Sequence, residues 1–143
     1  MSRITSLKSL ISNLNRSPNH LTLNVCKSYI GTDWKKYVIF KDKTYHRNTV
    51  YGNDKFDLFI LSWKKGQISD VHFHDKQCVF KVLSGSFAEL RSTNKIYANA
   101  GLQLREYQEN ILHQSDTAKI LRTYHLVKAL NDFNVSLHVY HRL

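Results

Sequence analysis

The segment VHFHDKQCVF, residues 71–80, sets His72 and His74 one residue apart and Cys78 four positions further on, in an otherwise strand-like apolar setting. Alternate side chains of a strand share a face, so His72, His74, Cys78 and Phe80 are expected to point the same way. Two imidazoles at that spacing can grip one metal ion, and a solvated or hydrogen-bonded pair is the competing reading of the same spacing. A second group of polar side chains, Ser136, His138 and Tyr140, alternates along VSLHVY, residues 135–140, and Tyr45 and Arg47 alternate within TYHRN, residues 44–48. Taken by parity alone, these are the outward residues of half-buried strands.

The elements that must position these residues follow from periodicity. Ile4, Leu7, Leu10, Ile11 and Leu14 recur at helical spacing until Ser17-Pro18-Asn19 stops the pattern. A second helix is expected over 21–29, with Thr22 or Asn19 capping its start, Gly31 ending it and Cys26 on its apolar face. Beyond residue 37 the pattern changes to short runs rich in β-branched and aromatic residues: YVIF, DLFILSW, CVFKVL, SFAELR, ILRTYHLV and VSLHVY. Gly52-Asn53-Asp54, Gly66, Gly85 and Asn131-Asp132 separate them, which predicts a barrel or sandwich behind two small helices.

The chain of 143 residues suffices for one domain with a real core, and its 42% hydrophobic and 12% aromatic content is that of a globular protein. Its net charge of +10 is spread from Arg3 to Arg142, with no aromatic-basic platform, which argues against specific nucleic-acid binding. The longest apolar stretches fall far short of the ~20 residues of a membrane span, and Met1-Ser2-Arg3 leads into no signal-peptide core, so the expected location is cytoplasmic. Two cysteines, Cys26 and Cys78, are too few for a disulfide framework.

The spacing around the histidines carries a resemblance. Five residues separate Gly66 from His72, three separate His74 from Cys78, and six separate Cys78 from Gly85. This frame is similar to the first motif of the cupin barrels, with Cys78 where that motif has Glu. Together with CVFKVLSGSFAE, TYHRN, NDKFDLFILSW and VSLHVY in the same order, it resembles the cysteine dioxygenase family from about residue 7 to residue 140.

The resemblance implies a mainly β chain, one cupin (jelly-roll) barrel over about 37–143 with two short N-terminal helices within 1–34, forming a single domain over 1–143. It implies that His72, His74 and His125 hold iron(II), His125 being preferred over His113 by its interval before VSLHVY. It assigns Ser136, His138 and Tyr140 to a hydrogen-bonded relay in which the Tyr140 hydroxyl reaches oxygen at the iron and His138 directs it. Cys78 is expected to join Tyr140 in a thioether. Arg47, with Tyr45, is expected to hold a substrate carboxylate. The implied activity is oxidation of L-cysteine by dioxygen to cysteine sulfinate in a monomer. The alternatives are a dioxygenase for another small thiol such as 3-mercaptopropionate, and a catalytically impaired or non-catalytic cupin binding a metal or small ligand. The last is suggested because family members commonly continue past the HVY strand, whereas this sequence stops at Leu143.

Overall fold

A computed structural model describes residues 3–92, 94–98, 101–105 and 107–142. Helix α1 (Leu7–Arg16) begins three residues later than the periodicity of Ile4 predicts, because Ser6 adopts an extended conformation and its hydroxyl accepts from the Ser9 N–H at 3.1 Å, making Ser6 the N-cap. Ile4 instead pairs in parallel with Tyr29. Helix α2 (Thr22–Ser28) follows a 3-10 turn over Asn19–Leu21 and has no side-chain cap. The expected cap at Thr22 or Asn19 is not formed: the Thr22 hydroxyl is instead 2.8 Å from His141 Nε2. Nor does Gly31 end this helix, which closes at Tyr29; an added Cβ at Gly31 would lie 2.5 Å from the Thr5 carbonyl oxygen, so glycine there permits the close approach of two chain segments. Cys26 is fully buried, as expected of a core position.

The strands are β1 (His46–Gly52), β2 (Phe56–Lys64), β3 (His72–His74), β4 (Cys78–Ser84), β5 (Ser86–Ser92), β6 (Asn94–Ala98), β7 (Gly101–Arg105), β8 (Gln108–His113), β9 (Thr117–Ile120), β10 (Thr123–Ala129) and β11 (Phe133–His141). They form an antiparallel sheet in the order β1-β2-β11-β4-β9 and a second in the order β3-β10-β5-β8, with β6 and β7 as a separate hairpin. This is the mainly β, two-sheet architecture that the short apolar runs imply. Strand β2 and strand β11 are buried on both faces: the helices cover one face of their sheet with Leu10, Val25 and Phe56 at its centre, and the second sheet covers the other with Trp63, Phe80 and Phe87.

Three expectations change. YVIF, residues 37–40, is not a strand; Asp33–Tyr37 form a 3-10 turn, and the Ile39 N–H donates to the Ser62 hydroxyl rather than to a ladder. ILRTYHLV divides between the two sheets at Arg122, whose φ of +53° turns the chain from β9 into β10. The 71–80 segment divides likewise, β3 joining one sheet and β4 the other, so the two histidines and Cys78 do not share a single strand face.

One tie fixes the helices to the barrel. Lys81, 4% exposed on β4, donates through Nζ to the carbonyls of Cys26 at 3.1 Å, Lys27 at 3.1 Å and Tyr29 at 2.6 Å at the end of α2, where the Cys26 carbonyl also accepts the Tyr29 N–H. Lys81→Met is therefore expected to lower unfolding stability by about 3 kcal/mol, measured by urea titration, since buried charge-assisted bonds are lost and the Lys27 and Tyr29 carbonyls lose this donor. Among the described residues no helix is long and apolar enough to cross a membrane.

Candidate metal centre

Strands β3 and β10 pair so that His72 stands opposite His125 and His74 opposite Thr123. The i, i+2 pair and its cross-strand neighbour thereby turn three imidazoles into one cavity of about 320 Å³. One ring nitrogen from each lies within 4.8 Å of the others. His125 Nε2 is 2.8 Å from His72 Nε2 and 3.0 Å from His74 Nε2. His113, the competing third candidate, is exposed on β8 opposite Ser86 and does not belong to this cluster.

The hydrogen bonds behind the rings determine what those nitrogens present. His72 Nδ1 lies 2.7 Å from the Asp70 carbonyl and His125 Nδ1 lies 2.9 Å from Glu89 Oε2. Both partners only accept, so both Nδ1 atoms donate, and in the neutral rings both Nε2 atoms carry lone pairs. Two lone pairs facing each other at 2.8 Å repel unless a cation lies between them. At a metal–nitrogen distance of about 2.1 Å, neighbouring ligands at right angles are about 3.0 Å apart, whereas tetrahedral ones are about 3.4 Å apart. The two separations measured from His125 fit the former, and with all three ring nitrogens within 4.8 Å of one another the residues present suit a divalent metal with room for other ligands.

Burial lowers the affinity of His72 and His74 for protons, with the adjacent imidazoles adding to it; for His74 the value falls to about 3. Burial likewise depresses His138 strongly, and depresses His141, which Lys55 also opposes. A histidine depressed in the folded state takes up protons on unfolding once the pH is below its ordinary value of about 6.5, so its stabilising contribution is complete above that pH and is lost as the pH falls. The urea midpoint of the metal-free protein is accordingly expected to drop between about pH 7.5 and about pH 5.5. A constant midpoint would contradict the burial of these rings.

Ser136, His138 and Tyr140 alternate on β11; His138 and Tyr140 line the cavity, and Ser136 and His138 are almost wholly buried. The Trp63 indole donates to the Ser136 hydroxyl at 3.0 Å, and that hydroxyl is 2.8 Å from His138 Nε2. His138 stacks on Phe80 at 5.2 Å, its Nδ1 is buried without a partner, and its ring meets Tyr140 only edge-on at 5.9 Å between centroids. The Ser136–His138 half of the expected relay is thus present, while among the described residues no hydrogen bond joins His138 to Tyr140. Trp63 holds Ser136, and Ser136 draws the His138 nitrogen away from the phenol.

Tyr140 stands directly opposite Cys78 across the β11–β4 ladder, where facing side chains have their Cβ atoms about 5 Å apart. Burial raises both groups' pKa, most strongly at Cys78, so the phenol remains protonated at neutral pH. Arg47 on β1 and Tyr45 just before it line the same cavity, Tyr45 stacked on Trp63 at 4.2 Å and the Arg47 guanidinium 4.6 Å over the Phe59 ring. Sequence reasoning missed Glu89, Arg91 and the supporting part of Trp63. The available signal is a charged residue at Glu89 sharing its alternation with Phe87, an inward parity.

A family model described as cysteine dioxygenase type I matches residues 18–142. The chain is 33% identical over 127 residues to cysteine dioxygenase type 1 of Danio rerio, covering 82% of this chain and 62% of that protein. It is 32% identical over 117 residues to the Rattus norvegicus protein of the same name, covering 76% and 56%. The chain thus spans less than two thirds of the length of these curated relatives. Among solved structures, a cupin 2 conserved barrel domain protein from Leptotrichia buccalis superposes with a TM-score of 0.57 at 16% identity, over 75% of this chain and 45% of that one, a likeness of fold.

Proposed function

Because the chain belongs to the cysteine dioxygenase type I family, within the cupin superfamily, we propose that it is an iron(II)-dependent thiol dioxygenase converting L-cysteine and dioxygen to cysteine sulfinate. The observation that carries this reading is the convergence of three imidazoles on one open cavity, with His72 and His125 held by their Nδ1 partners so that Nε2 turns inward. Iron(II) would be held by His72, His74 and His125, and when bound supplies the site at which a thiolate and dioxygen meet.

The donor set has no carboxylate, so it leaves the positive charge of the ion uncancelled. A thiolate restores the balance, which favours a sulfur ligand and lowers the pKa of the incoming thiol. Arg47 offers a planar fork on the same wall, suited to pairing bidentately with the carboxylate of an amino acid. Tyr140, kept as a phenol, presents an O–H donor toward the space where oxygen is delivered to sulfur. Its placement opposite Cys78 supports a thioether between Sγ and a ring carbon: one S–H and one C–H bond are replaced by C–S, and dioxygen accepts the two hydrogens with their electrons. That link would immobilise the phenol.

The direct test incubates the purified chain with iron(II), L-cysteine and air and measures sulfinate against oxygen consumed. Comparing L-cysteine with 3-mercaptopropionate separates an amino-acid substrate from a simple thiol acid. Arg47→Ala should lower turnover at limiting cysteine on the order of 30-fold, since an unpaired carboxylate costs about 2–5 kcal/mol. Unchanged kinetics would remove Arg47 from substrate binding. A second reading, a metal-binding cupin without turnover, is favoured by the missing bond between His138 and Tyr140. Metal binding without sulfinate would select it.

A further inference from the structure

Behind His125 the bond to Glu89 continues into a charged chain whose outer part, at Arg91, none of the roles above uses. Glu89 is 1% exposed, its Oε2 lies 2.9 Å from His125 Nδ1, and its Oε1 accepts from Arg91 Nε at 2.6 Å. Arg91 in turn donates through its terminal nitrogen to the Lys119 carbonyl at 2.8 Å, which anchors the guanidinium to β9. The carboxylate therefore has one oxygen committed to each neighbour and can only accept from both.

We propose that Glu89 and Arg91 act together as positioning residues that determine which nitrogen of His125 carries the proton, so that the Nε2 lone pair is always turned to the metal. The inference rests on the metal-binding part of the proposed function. Its distinctive content is the dependence on Arg91. A carboxylate is symmetric, but an amide is not: in Glu89→Gln the side chain has one acceptor and one donor end. Arg91 can only donate, so it takes the amide oxygen and leaves the NH₂ end facing His125 Nδ1. His125 must then accept at Nδ1 and carry its proton on Nε2, pointing into the centre where a lone pair is needed. With Arg91 also removed, the amide is free to turn its oxygen to His125, and the productive tautomer returns.

The experiment titrates cobalt(II) into the metal-free chain and three variants, with the metal-free thermal midpoint as a check of folding. Glu89→Gln should bind on the order of 100-fold more weakly than wild type, at the upper end of the effect of losing an outer hydrogen-bond partner, and Arg91→Met less than about 10-fold more weakly. The pair Glu89→Gln/Arg91→Met should bind more tightly than Glu89→Gln alone, within about 10-fold of Arg91→Met. A purely structural role for Glu89 predicts instead that the double variant is at least as impaired as either single one. Equal binding by wild type and Glu89→Gln, or no recovery in the double variant, overturns the inference while leaving the metal centre standing; failure of the wild-type chain to bind cobalt(II) overturns both. Should Glu89→Gln not fold, the zinc(II)-loaded wild-type chain decides the matter: its His125 Nδ1 proton should resonate downfield of that of His72, whose acceptor is a neutral carbonyl, and the reverse order overturns the inference.

Discussion

His125→Ala is expected to lower affinity for iron(II) on the order of 10³-fold and to reduce sulfinate formation to background, a larger effect than loss of an outer partner because a ligand itself is removed. His125 is the ring from which both short nitrogen–nitrogen distances are measured, and it is the buried member of the three. Its removal leaves two more exposed imidazoles on a short strand and leaves the Glu89 carboxylate with Arg91 as its remaining charged partner. Anaerobic titration with iron(II) checks the first part and a sulfinate assay the second. Retained affinity would place the metal on other ligands.

Tyr140→Phe is the second large effect. The phenol is a protonated donor at the cavity wall, and removing a donor aimed at developing negative charge costs on the order of 10²-fold in turnover. Metal affinity should not change, because Tyr140 is outside the three-nitrogen cluster. Aerobic exposure of the wild-type chain to iron and cysteine should remove about two hydrogens from its intact mass, and neither Tyr140→Phe nor Cys78→Ser should show that loss. Normal turnover by Tyr140→Phe would confine the residue to packing against Phe59.

The helices and most long strands are legible in the sequence because periodicity is a local property: Leu7, Leu10 and Leu14 mark one face, and the apolar runs of β2, β4 and β11 mark strands buried on two. The three-histidine cluster is legible through spacing for His72 and His74, and through the resemblance for His125. What escapes is whatever depends on a partner distant in the chain. The inward parity of the glutamate in SFAELR does not name its partner until β10 lays His125 against it, and nothing local to Lys81 shows that α2 ends above it. Arg122 gave no warning of the corner it makes, since only its positive φ divides the run that contains it. Glycine, the usual marker of such a conformation, is absent there.

The pairing of His72 with His125 also bears on how this centre tolerates change. A strand offset by a single residue presents its opposite face. Were β10 to slide by one position along β3, Tyr124 or Leu126 would stand where His125 stands, and the imidazole would turn outward. Insertions or deletions near residues 75–77 or 121–122 that preserve the ladder should be absorbed, whereas any that shift it by an odd step would dismantle the metal-binding face outright, so this edge of the barrel passes from competent to incompetent without a graded middle.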